Sequence, residues 1–198
     1  MRADSRAYPL VGLSGYARSG KDAVAAALVA QLGFTRAAFA DSLKDCLYRL
    51  NPRIVRYDGR KSTVTEVVDA LGWDLAKTAE PEIRCLLQRL GADAIVPVFG
   101  KEVLVDAALG RDPATGPVVV SDVRFEDEMT AVKSRGGIVV RIVRPGCGPT
   151  NGHHSETAVD AATFDACINN DGSLDDLASR AVETVRRFSG QTEAPRIC

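Results

Sequence analysis

The chain has no CxxC pair, no apolar run near the ~20 residues of a membrane span, and almost no net charge. Each shortage excludes a class of function. The five cysteines (Cys46, Cys85, Cys147, Cys167 and Cys198) are scattered and odd in number, which fits idle thiols of a reducing compartment better than zinc ligands or a redox pair. With 25 basic and 26 acidic residues the net charge is −1, so nothing favours loose adhesion to nucleic acid or to a membrane. Met1 to Tyr8 lacks the apolar stretch of a signal peptide, and the expectation is a soluble, cytoplasmic protein. The two histidines, His153 and His154, adjoin each other with no cysteines clustered nearby, so a metal set built on them has no support. There is no G-x-S-x-G elbow, no N-K-x-D base motif and no internal repeat.

What is present suits one α/β domain. The 198 residues are 45% hydrophobic, enough for a core without disulfides. Short apolar runs alternate with helical stretches, the pattern of a parallel sheet covered on both faces. Pro9–Leu13 predicts a buried first strand, Asp22–Leu32 an alanine-rich helix and Thr35–Ala40 a second strand. The β-branched runs Gly116–Asp122 and Gly137–Val143 predict the clearest strands, and Phe164–Ile168 a short fifth. Ser173 is placed to cap a closing helix that runs to about Phe188, and the tail from Gly190 to Cys198 is expected to fray. Between the second and third strands, Asp41–Leu109 offers several helical segments and no convincing strand. It reads as a helical insertion into a single domain (core 8–40 and 111–190, insertion about 41–110). Such an insertion suits either a lobe closing over a second substrate or plain packing on a sheet edge.

Gly15-Tyr16-Ala17-Arg18-Ser19-Gly20-Lys21 fits G-x-x-x-x-G-K between a predicted strand and a predicted helix. Glycines let the backbone turn so that successive N–H groups face one concavity, to which the helix adds the positive end of its dipole. Gly15, Ala17, Arg18, Ser19, Gly20 and Lys21 are therefore the candidate cradle for a nucleoside triphosphate, with Lys21 on the β- and γ-phosphates. Asp22 stands where Ser or Thr normally meets Mg²⁺. A carboxylate beside phosphates suggests the magnesium shell, with stabilisation of the helix start as the plainer role. Arg18 is placed to reach a transferring phosphoryl group.

Asp122 ends the third strand at the sheet edge where ligands bind, placed to hold a metal or its waters, and Arg124 follows within reach of the same cleft. In the insertion, Arg84 and Gln88 share a helix face, suiting a phosphate and a base edge. Asp41 and Lys44 follow the second strand, and Trp73 is either core or a stacking platform. Arg141, Arg144 and the loop with Glu156 are candidates to close over phosphates.

Together these stretches resemble the bacteriophage deoxynucleoside monophosphate kinases, a branch of the P-loop kinases. The resemblance spans about Val11 to Leu177 and rests on Gly12–Asp22, Phe39–Lys44, Arg84–Gly91, Ser121–Glu128, His154–Glu156 and Ile168–Leu174. It implies a three-layer P-loop fold with a five-stranded parallel sheet and a helical NMP-binding insertion. The activity implied is transfer of the ATP γ-phosphoryl, with Mg²⁺, to a deoxynucleoside monophosphate, supplying DNA precursors in the host cytoplasm if the chain is phage-encoded. It also implies acceptor contacts from Arg84 and Gln88, a place for Asn170 near the donor base, and no nucleic-acid or membrane partner; a homodimer is compatible with it. The family's tryptophan after the Arg84 helix has no counterpart in Val98–Val103. The rival readings are a dephospho-coenzyme A kinase and a nucleotide-sensing switch without an acceptor.

Overall fold

A computed structural model describes residues 10–110, 116–149 and 160–189. In chain order its elements are β1 (Leu10–Ser14), α1 (Lys21–Leu32), β2 (Thr35–Ala37), α2 (Phe39–Leu50), β3 (Arg53–Val55), β4 (Lys61–Thr63), α3 (Val64–Ala79) and α4 (Pro81–Arg89). A π-helical turn (Leu90–Ile95) leads to α5 (Val96–Phe99) and α6 (Glu102–Leu109). There follow β5 (Val118–Val120), α7 (Glu126–Ser134), β6 (Ile138–Val143), β7 (Ala166–Asn169) and α8 (Leu174–Ser189). The backbone forms two compact units, Met1–Ala38 with Arg111–Cys198, and Phe39–Gly110.

In the first unit the five strands are all parallel, in the order β2-β5-β1-β6-β7. Strand alternation sorts their side chains. Val11, Leu13, Val119, Val140, Ile142 and Ile168 face one way and form a single buried cluster with Val24 and Leu28 of α1 and Leu177 and Val185 of α8. On the other face Gly12 lets α7 approach: a Cβ there would lie 2.9 Å from Val123 Cγ2 and 3.4 Å from Val132 Cγ2. Helices therefore cover both faces, giving the three-layer, five-stranded parallel P-loop fold. Gly33, in the left-handed region, ends α1 by donating to the carbonyls of Leu28 and Val29.

The sequence-predicted strands occur, most of them shorter than expected. β2 stops at Ala37, and Phe39 already begins α2. Of Gly116–Asp122 only Val118–Val120 pairs, so Ser121–Phe125 forms the turn into α7.

The second unit contains a feature the sequence did not suggest: β3 and β4 form an antiparallel hairpin. Its strands are three residues long and only Ile54 of β3 is buried, so no apolar run marks them. Instead the hairpin is held by acids of the α3–α4 corner. Glu80, itself buried, accepts from Arg56 Nε and from the Tyr57 N–H, both at 2.8 Å, and Glu82 accepts from the Val55 N–H at 2.9 Å. Thr63 and Glu66 close a capping box at the start of α3, and Gly72, at φ 72°, kinks that helix. Leu47, Ile54, Val64, Val67, Ala76 and Ile83 make this unit's core. Among the described residues no helix is long and apolar enough to cross a membrane. Cys46, Cys85 and Cys147 are free thiols, whereas Cys167 is disulfide-bonded and so departs from the idle-thiol expectation.

Candidate functional site: a phosphate loop and its electrostatic surround

The loop between β1 and α1 is shaped by residues that tolerate unusual backbone. Gly15, Arg18 and Gly20 have φ of 142°, 63° and 108°. Neither glycine has room for a side chain. A Cβ on Gly15 would collide with the Ile142 carbonyl oxygen, and one on Gly20 would lie 2.6 Å from Asn170 Nδ2. Arg18 takes the left-handed conformation without being glycine, a local strain of the kind found at ligand clamps. The turn is closed by the Ser19 N–H donating to the Tyr16 carbonyl at 3.2 Å. Gly20 gives α1 no side-chain cap, so no cap competes with an anion for the first-turn N–H groups.

Lys21 lies against this loop and donates to the carbonyls of Gly15 and Tyr16, both at 2.7 Å. Burial pushes its ammonium pKa down and the charge of Arg124 adds to the effect, while Asp22 and Asp122 pull it back up. Lys21, Asp22, Asp122 and Arg124 therefore share one electrostatic neighbourhood although 100 residues of chain separate the two pairs. Asp22 is largely exposed and stands 3.7 Å from Arg36. Arg144 donates to the Arg18 carbonyl at 3.3 Å, bringing the end of β6 to the loop. Asn170, almost fully buried, donates from Nδ2 to the Ser19 carbonyl at 2.8 Å, so its amide supports the loop from below. The Ser14, Ser19 and Ser121 hydroxyls are buried without a partner among the described residues, and all three lie in or beside this loop and the β5 turn.

Glu128 was quoted in the sequence motif but given no role there. Its Oε2 accepts from the Arg124 N–H at 2.7 Å and from the Phe125 N–H at 3.1 Å, which folds the turn carrying Asp122 and Arg124. Burial pushes its carboxyl up to about 7; Asp122 and Asp127 add to the rise, and the two N–H donors oppose it. Arg141, expected as lid charge, has a carboxylate partner. It donates to Asp160 at 2.6 Å and lies between the Tyr16 and Phe164 rings. Sequence offered one faint signal for Glu128, an acidic run at a helix start, and none for the Arg141–Asp160 pair.

The second unit holds the other candidates. Lys44 and Asp41 on α2 pair with each other at 2.7 Å. Arg84 and Gln88 are exposed one turn apart on α4. Trp73 is half-buried against the unit's core beside the Gly72 kink. Glu156, with His153 and His154, lies outside the described residues.

A phosphate loop with two constrained glycines, a lysine, and carboxylates from the first turn of α1 and the end of β5 suits a metal–nucleotide complex. Among the described residues no three His, Cys, Asp or Glu side chains gather as a self-sufficient metal site. The donor set instead fits a cation that brings phosphate oxygens with it.

The model of the deoxynucleotide monophosphate kinase family matches residues 62–181, more than half of the chain. A protein of Acanthamoeba polyphaga mimivirus, provisionally named a deoxynucleotide monophosphate kinase, is 28% identical over 192 residues, covering 91% of this chain and 97% of that protein. The deoxynucleotide monophosphate kinase of Enterobacteria phage T4 is 32% identical over 109 residues, or 52% of this chain and 45% of the T4 protein. Among solved structures, the shikimate kinase of Aquifex aeolicus aligns over 90% of this chain and 96% of its own, at 14% identity and a TM-score of 0.47. The chain belongs to the deoxynucleotide monophosphate kinase family.

Proposed function

We propose that this chain transfers the γ-phosphoryl group of ATP to a deoxynucleoside monophosphate, releasing ADP and the deoxynucleoside diphosphate. The observation that carries the reading is the half-buried Lys21 on a glycine-cradled loop, electrostatically coupled to Asp22, Asp122 and Arg124. Gly15, Ala17, Arg18, Ser19 and Gly20 surround the donor phosphates with backbone N–H groups, and Lys21 exchanges its two carbonyl partners for phosphate oxygens. Asp22 and Asp122 would hold Mg²⁺ directly or through water, and the ion would offset negative charge on the donor phosphates.

The acceptor's phosphate oxygen is already anionic near neutral pH, so the reaction needs no general base. The residues' task is to align the groups and offset charge. Arg18, Arg124 and Arg144 take the charge of the transferring group, the last two from the ends of β5 and β6. Lys44 and Arg84 hold the acceptor phosphate, while Asp41, Gln88, Trp73 and Glu156 surround its sugar and base. Asn170 holds the Ser19 carbonyl from behind the loop and so keeps the loop's turn in shape for the donor.

A coupled ADP-release assay with dAMP, dGMP, dCMP, dTMP and dephospho-coenzyme A tests the proposal. Acceleration by one or more of the four nucleotides is expected. Acceleration by dephospho-coenzyme A alone, or by nothing, gives the assignment to one of the two rival readings. Lys21→Ala should abolish transfer while leaving the circular dichroism spectrum intact, and wild-type turnover in that variant would sink the site.

A further inference from the structure

Tyr16 occupies a variable position of the phosphate loop, yet its side chain is tied down at both its hydroxyl and its ring. Its hydroxyl donates to Asp160 Oδ2 at 2.7 Å, and Arg141 donates to Asp160 Oδ1 at 2.6 Å. One carboxylate thus joins the loop to β6. The Arg141 guanidinium lies 5.4 Å from the centre of the Tyr16 ring and 5.0 Å from that of Phe164, itself buried. The parallel register sets Arg141 directly beside Ser14, the last residue of β1, from which the loop departs. Only 15% of the Arg141 side chain is exposed, and Asp160 and the two rings hold its guanidinium in place.

We propose that Tyr16, Asp160 and Arg141 form a positioning network that fixes the loop for nucleotide. The backbone of Tyr16 gives the network its reach. Its carbonyl oxygen accepts both the Lys21 ammonium at 2.7 Å and the Ser19 N–H at 3.2 Å. Holding the ring holds that carbonyl, which sets both the turn of the loop and the place from which Lys21 is delivered. These are positioning residues, since none of the three side chains needs to touch substrate. Burial pushes the Asp160 carboxyl up, but the hydrogen bonds from Arg141 and Tyr16 outweigh it and hold the group ionised, as acceptance of two donors requires.

The inference rests on the proposed nucleotide role of the loop, and two readouts keep the two apart. Amide hydrogen exchange across Tyr16–Lys21 in the ligand-free full chain reports the network alone. Tyr16→Phe removes one hydroxyl and keeps the ring, so it should speed exchange there and leave the rest of the unit at wild-type protection. Calorimetric titration with Mg·ADP reports the consequence. Loss of a hydrogen bond to a charged group predicts roughly tenfold weaker binding, with the KM for the monophosphate unchanged. Asp160→Ala should give a loss at least as large, and the double variant should be no worse than Asp160→Ala alone, because the Tyr16 hydroxyl acts through that carboxylate. A purely structural role would lower the urea midpoint and impair both substrates alike. Unchanged loop exchange in Tyr16→Phe, or two losses that multiply in the double variant, overturns the network. If the wild-type chain itself bound no Mg·ADP, the donor-site reading would fall and the exchange result would still decide the network.

Discussion

Replacing Glu128 by glutamine should make the protein relatively more stable as the pH rises, the opposite of what deleting a paired carboxylate usually does. Glu128 is mostly buried, and its pKa moves from an ordinary 4.5 to about 7 in the fold. A raised carboxyl pKa means the native state holds its proton more tightly than the unfolded chain. Its contribution is therefore fullest below 4.5 and is lost as the pH climbs through 7. At about 1.4 kcal/mol per pH step, ionising Glu128 costs the fold on the order of 3 kcal/mol, most of it incurred between pH 5 and 8. Glutamine keeps an oxygen for the Arg124 and Phe125 N–H groups and never ionises. Urea unfolding followed by far-ultraviolet circular dichroism, without nucleotide or metal, should be run on both proteins at pH 5 and pH 8. The variant's stability minus that of the wild type should rise by about 2–3 kcal/mol between the two pH values, and subtraction removes every other titrating group. An equal difference at both pH values would show that Glu128 is ionised in the fold at neutral pH, and a falling one that Arg124 or another cation stabilises its charge.

Gly20→Ala should impose about 1–3 kcal/mol of backbone strain at φ 108° and press on Asn170, lowering both the urea midpoint and the affinity for Mg·ADP. Wild-type nucleotide affinity in a well-folded Gly20→Ala variant would show that the close approach of Asn170 is not needed. Arg84→Ala should raise the KM for the deoxynucleoside monophosphate by about tenfold or more with the KM for ATP unchanged, and Arg84→Lys should recover only part of it because the bidentate grip is lost. Equal effects on both substrates in steady-state kinetics would remove Arg84 from the acceptor site.

What the sequence revealed and what it hid divide by the range of the interaction. The sheet was legible because buried parallel strands need contiguous β-branched residues, as in Val118–Val120 and Ile138–Val143. The phosphate loop was legible because its two constrained glycines and its lysine lie within seven residues. The hairpin was hidden because its stability comes from Glu80 and Glu82, more than 20 residues away. The Arg141–Asp160 pair was hidden for the same reason: its members are 19 residues apart, and nothing local announces it. The displacement of strand ends has a different cause. A run such as Gly116–Asp122 carries strand propensity throughout, but the ladder extends only where β1 and β2 both have residues to meet it.

The charges around the loop also bear on why an aspartate can follow Lys21. Lys21, Arg36 and Arg124 stand with Asp22 and Asp122 there, a surplus of one positive charge. Free ATP brings about four negative charges, and its magnesium complex about two. On the proposed donor role of the loop, so small a surplus suits the metal complex better than the bare nucleotide. A hydroxyl at position 22 would raise the surplus to two and reduce that preference. Asp22 lowers the affinity of the empty loop for any stray anion, and the cation that accompanies the proper ligand offsets that repulsion. On that reading, discrimination between metal-bound and free nucleotide would reside in the residue that departs from the common loop pattern.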